Sequence, residues 1–162
     1  MKIPVPRTAI AALTLSAAGL IGLVVNEGYR GEAYIPTMGD VPTIGFGTTQ
    51  GVKLGDRIDP VTALMRKHRE ISTQYEAAVK QCVKVPMYQH EFDAMVDTTY
   101  NIGTTAFCNS TMVKRLNAGD YKGACDALLL WRMYTDRSTG KRYDCSTPEA
   151  KRICGGIWER RQ

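Results

Sequence analysis

Three residues have the types and spacing to do chemistry: Glu27, Asp40 and Thr43. Glu27 follows the uncharged run Thr8 to Val25, so a helix ending there would hold a carboxyl beside a dry surface, the setting a general acid needs. Asp40 falls in a turn with Gly39, and the Thr43 hydroxyl three residues later can hold a water or a carboxylate. Two carboxylates in different surroundings suit glycoside hydrolysis. One donates a proton to the leaving oxygen while the other activates water or stabilises positive charge. The competing reading is local, with Glu27 a helix-end charge and Asp40 a turn residue.

Other chemistries leave weaker traces. There is no Gly-x-Ser-x-Gly elbow, and the two histidines, His68 and His90, sit in polar helical contexts without a nucleophile pattern. None of the five cysteines forms a Cys-x-x-Cys pair and the histidines lie outside zinc-ligand spacing, so neither a metal nor a cofactor is expected. Gly45-Phe46-Gly47 is no dinucleotide fingerprint, because the next glycine is Gly51 and no helix follows directly. A net charge of +5 suits a polyanionic partner such as nucleic acid, an anionic membrane surface or cell wall. The basic residues are spread along the chain without interleaved aromatics, and no nucleic-acid partner is expected. Cys82, Cys108, Cys125, Cys145 and Cys154 point to an oxidising compartment with up to two disulfides and one cysteine left over, reduced buried thiols being the alternative.

The elements that must position these groups can be read in order. The 162 residues suffice for one domain with a real core. Tyr34-Ile35 and Thr43 to Thr48 read as short strands around the Gly39-Asp40 turn. Asp59-Pro60 starts a helix that runs to Val85-Pro86, with its charged residues on a solvated face. Met87 to Tyr100 is a second amphipathic helix, stopped by Asn101-Ile102-Gly103. Ser110 caps a third through Leu116, and Asp120 a fourth that buries Ala124, Leu128 and Trp131. Arg137 to Asp144 reads as a loop, Thr147-Pro148-Glu149 opens a last short helix, and Gly155-Gly156 separates that helix from the terminal residues. The expectation is an α+β protein, with a small N-terminal β-hairpin lobe, a larger helical lobe and a cleft between them.

In this order, Glu27-Gly28, Tyr34, Thr43-Ile44-Gly45-x-Gly47, Asn101-Ile102-Gly103, Trp131 and Arg160-Arg161 resemble the phage lysozymes related to the T4 enzyme, the muramidase endolysins. The resemblance covers about residues 20 to 162. It implies a lysozyme-like fold and hydrolysis of the β-1,4 bond between N-acetylmuramic acid and N-acetylglucosamine in bacterial peptidoglycan. On the family pattern Glu27 is the general acid and Thr43 helps to position the water. The pattern departs at Pro36, which stands where the family usually places an Asp, and the Glu-to-Thr interval is one residue longer than usual. Asp40 is the nearest acid for the second role, ahead of Glu32, and would give the inverting geometry. A non-catalytic peptidoglycan-binding protein of the same fold and a lytic transglycosylase are the alternatives.

Residues 1 to 25 form an export segment, ahead of a catalytic domain spanning 26 to 162. Lys2 and Arg7 flank the apolar run, which orients the N-terminus to the cytoplasm. The run is rich in Ala, Gly, Ser and Thr, so a cleaved signal, a permanent anchor and a weak anchor that leaves the bilayer are all open. The last resembles the signal-arrest-release segment of a subset of these endolysins. That resemblance implies an exported monomer, held inactive at the host inner membrane and then soluble in the periplasm.

Overall fold

A computed structural model describes residues 6–37, 39–136 and 138–161. Lys2, Arg137 and Gln162, which entered the readings above, lie outside the described residues. The chain divides into two units, which meet in sequence at Cys108 and Asn109.

The first unit opens with a short 3-10 turn at Ile10–Ala12 and then helix α1, Ala17–Glu27. Ser16 caps α1 by accepting the Gly19 N–H at 3.0 Å. Gly28, at φ +70°, ends the helix directly after Glu27. Strands β1, Arg30–Tyr34, and β2, Thr43–Gly45, pair antiparallel with Arg30 opposite Gly45 and Tyr34 opposite Thr43. Ala33, Ile44 and Val52 form a small core under this hairpin, with Ile58 packed against it.

Helix α2, Pro60–Glu70, starts where Asp59 accepts the Val61 and Thr62 N–H groups. It passes without a break into a π-helical segment, Ile71–Glu76, and then α3, Ala77–Cys82. Helix α4, Gln89–Ile102, buries Phe92, Met95 and Val96 and ends at Gly103, followed by α5, Thr104–Cys108. Helix α1 packs on α4, and Leu23 and Val24 of α1 are buried.

In the second unit Ser110 caps α6, Thr111–Asn117, and Asp120 caps α7, Tyr121–Leu128, each accepting a backbone N–H of the first turn. Strands β3, Met133–Thr135, and β4, Arg142–Asp144, form a second hairpin. A 3-10 turn at Pro148–Ala150 leads into α8, Lys151–Glu159. Cys145, Ala150 and Cys154 make a satellite core against Tyr134, Tyr143, Ile157 and Trp158.

Several expectations need correction. The segment ending at Asp144 is a hairpin, not a loop, so the second unit is not helical throughout. Its three-residue strands, Met-Tyr-Thr and Arg-Tyr-Asp, are too short and too polar to carry an alternating signal. The break expected at Gly155-Gly156 falls one residue earlier, at Cys154, where two helical pieces of α8 meet at a kink and where the disulfide to Cys145 attaches. Leu128 and Trp131 are half-buried, not core. The charged face of α2 is not wholly solvated, since Lys67 is fully buried.

Cys82–Cys108 and Cys145–Cys154 are disulfides, and Cys125 is free and exposed. The apolar run is folded into the first unit: Thr8 pairs with Met87 as a β-bridge, and Leu13 and Leu15 are buried. No helix among the described residues is long and apolar enough to cross a membrane.

Candidate active site

The site is built around the end of α1. Because Gly28 stops the helix, Glu27 projects from its last turn, half-buried. The residues facing it belong to the tight bend Ile44–Thr48, which closes on itself by reciprocal bonds: Ile44 N–H to the Thr48 carbonyl at 2.9 Å and Thr48 N–H to the Ile44 carbonyl at 3.0 Å. Gly45 and Gly47 both have positive φ, +64° and +73°. Each also has a neighbour that a side chain would have to displace. A Cβ on Gly45 would stand 2.9 Å from the Ala63 Cβ, and one on Gly47 would stand 3.0 Å from Glu27 Oε2. The glycines therefore let the backbone approach the carboxylate closely.

Tyr100 of α4 closes another side, donating its hydroxyl to Glu27. Burial, then the nearby Glu27 and Glu70 charges, push the Tyr100 phenol far up, so it stays protonated and acts as a donor. Tyr75, from the π-helical segment, packs on Tyr100 in a T-shaped pair with ring centroids 5.0 Å apart. Burial and Glu70 push the Tyr75 phenol up as well. Behind Tyr100, Lys67 Nζ donates to both oxygens of Glu70 at 3.1 Å, and Glu70 also accepts the Thr48 hydroxyl at 3.2 Å. A cavity of about 220 Å³ beside this cluster is lined by Thr48, Gln50, Arg66, Arg69, Glu70 and Thr73.

Of the three residues singled out in the sequence, Thr43 and Glu27 reach the same hairpin. Thr43 is buried at the start of β2 and its hydroxyl donates to the Val41 carbonyl at 3.1 Å. Donation uses one of its three hydrogen-bonding directions and leaves lone pairs that accept from water. Asp40 is exposed, and its described contacts are with Thr37: the Thr37 hydroxyl donates to its carboxylate, and its own N–H donates to the Thr37 carbonyl at 3.0 Å. Sequence reasoning missed Lys67, Glu70 and Tyr100. A lysine amid Arg66, His68 and Arg69 carries no local sign of burial, and its partner Tyr100 is 33 residues away. No cluster of His, Cys, Asp and Glu among the described residues has a metal-binding arrangement.

A small antiparallel hairpin in a helix-rich unit, with a helix that ends in an acid beside it, fits the lysozyme class of α+β fold. The phage lysozyme family model matches residues 25–146. The endolysin of Salmonella phage P22 is 33% identical over 144 residues, covering 86% of this chain and 94% of its own. The SAR-endolysin of Pseudomonas phage phiKMV is 38% identical over 119 residues, covering 74% and 72%. The solved endolysin of Escherichia coli O157:H7 phage FAHEc1 superimposes with a TM-score of 0.76 at 36% identity, over 93% of this chain and 89% of that one. The chain belongs to the phage lysozyme family, and it is an endolysin-type lysozyme whose target is bacterial peptidoglycan.

Proposed function

We propose that this lysozyme hydrolyses the β-1,4 bond between N-acetylmuramic acid and N-acetylglucosamine, with Glu27 as the general acid that protonates the leaving glycosidic oxygen. The observation that carries the reading is the setting of Glu27, half-buried at the end of α1 against Gly47 with the Tyr100 hydroxyl donating to it. Thr43 accepts a hydrogen bond from the attacking water, and Asp40, in the loop before β2, takes that water's proton on the opposite face of the sugar. This is inverting hydrolysis, in which water adds directly to the anomeric carbon.

Muropeptide analysis tests it. Wild-type digests should carry reducing-end muramic acid and Glu27→Gln digests none; anhydro ends would make the protein a transglycosylase, and intact wall a binder. Full activity in Asp40→Asn would remove Asp40 from the mechanism.

The apolar run to Val25 serves a second purpose in this reading. It carries the chain out of the cytoplasm and holds it, as an inactive monomer, at the inner membrane until release into the periplasm. The motivating relationship is that residues Ala17 to Val25 belong to the helix that ends in Glu27, so they cannot lie in lipid and in α1 at once. A SAR-endolysin relative supports the same reading. Release then completes the site. Fractionation before and after collapse of the membrane potential should move the uncleaved protein from membrane to soluble periplasm. A shortened N-terminus, or no movement, would exclude it.

A further inference from the structure

Lys67 is fully buried, one of the largest side chains among the described residues to be so. An ammonium taken out of water costs several kcal/mol unless its donors are all met, so its place needs a reason. Its geometry supplies one. Lys67 Nζ lies 3.1 Å from each Glu70 carboxylate oxygen and 3.3 Å from the Tyr100 hydroxyl oxygen. It also stands over the Tyr100 ring, 5.1 Å from the centroid.

Direction follows from what each group can do. An ammonium only donates, so towards Lys67 the Tyr100 oxygen must accept. The phenol has one proton, which is thereby turned away from Lys67, and it goes to Glu27. The far side of the cluster is closed in the same way, because Glu70 accepts the hydroxyl of Thr48, the residue after Gly47. Glu27, Gly47, Thr48, Glu70, Lys67 and Tyr100 thus form a ring of contacts that joins α1, the glycine bend, α2 and α4.

We propose that Tyr100 is the positioning residue for Glu27, with Lys67 holding the phenol in the one rotation that aims its O–H at the carboxyl. The proposal rests on Glu27 being the general acid. With one carboxyl oxygen engaged by Tyr100, the other presents its proton to substrate. During the reaction the Glu27 O–H bond breaks, its proton passes to the glycosidic oxygen, and the carboxylate left behind keeps the Tyr100 hydrogen bond. Tyr100 itself retains its proton throughout.

The test uses the full chain without its membrane stage, assayed on soluble peptidoglycan fragments. Tyr100→Phe should lower kcat by about 10- to 100-fold, the size of one charge-assisted hydrogen bond, with KM within about twofold. Lys67→Met should lower kcat in the wild type but add little in the Tyr100→Phe background, because the two act through one bond. An unchanged kcat in Tyr100→Phe, or a loss carried by KM, overturns the proposal even if Lys67→Met fails to fold. Fully additive losses in the double variant overturn the role of Lys67. Glu27→Gln is measured alongside: if it stays active, the general-acid reading itself has failed, an outcome distinct from an inactive Glu27→Gln beside an unimpaired Tyr100→Phe.

Discussion

Ser16 and Asp93 are joined twice: the Ser16 N–H donates to one carboxylate oxygen at 3.0 Å and its hydroxyl to the other at 2.6 Å. The same hydroxyl accepts the Gly19 N–H, so Asp93 orients the cap of α1. Gln89 reinforces it, donating to Asp93 and to the Thr14 carbonyl. Next to it, the buried Glu76 accepts the Leu15 N–H at 2.9 Å. These carboxylates receive the apolar run at the point where it enters the fold. Ser16→Ala should cost about 1 kcal/mol and Asp93→Ala about 1–3 kcal/mol. Calorimetry should show melting falls of about 2–4 °C per kcal/mol. If the run also occupies lipid, Asp93→Ala should raise the membrane-bound fraction, a shift fractionation would read.

The two glycines of the bend should fail differently. Gly45→Ala combines positive φ with a 2.9 Å clash against Ala63, so it should lose stability, about 1–3 kcal/mol. Gly47→Ala meets the Glu27 carboxylate at 3.0 Å, so it should lose activity beyond its melting shift. Gly51→Ala, at φ +68° with nothing near its Cβ, is the control for strain alone. Equal residual activity in Gly47→Ala and Gly51→Ala would show that close approach to Glu27 is unimportant.

Features with a local cause were legible in the sequence. Asp59-Pro60, Ser110 and Asp120 each start a helix because a short polar side chain meets orphan N–H groups within a few residues. Gly28 and Gly103 end helices because the chain there needs positive φ. Long-range causes were not legible. The π-helical turn at Ile71–Glu76 has no local signature, yet it carries Tyr75, which packs on Tyr100. Lys67 reads as one more surface charge until Tyr100 and Glu70 are brought to it by folding. At the site, the sequence pointed to Glu27 and the glycine bend, while the groups that hold Glu27 came from distant helices.

The two disulfides should differ in worth. Cys82–Cys108 spans 26 residues and Cys145–Cys154 spans 9. On loop-closure entropy, they contribute about 3.5 and about 2.6 kcal/mol. Paired serine substitutions should therefore destabilise more at 82/108 than at 145/154. Cys125→Ser, at an exposed free thiol, should stay within about 0.5 kcal/mol of wild type. Denaturant unfolding of the three variants gives the order directly, and a reversed order would mean that the short loop, which ends at the kink of α8, supplies more than chain entropy.

Glu91 links the start of the chain to α4 and should make its attachment acid-sensitive. Burial pushes its carboxyl up, but the hydrogen bonds from Arg7, at 3.0 and 2.7 Å, and from the Tyr88 N–H outweigh this and hold it below the ordinary 4.5. A carboxyl depressed in the folded state stabilises it fully above the unfolded value, and that contribution is lost as pH falls through the lower folded value. Glu91→Gln should thus melt lower than wild type at pH 7. Below about pH 4.5 the two melting curves should converge, as the wild-type carboxyl takes up its proton. A constant gap between the curves down to pH 3 would mean that the Arg7–Glu91 pair contributes shape and packing and no charge-dependent stability.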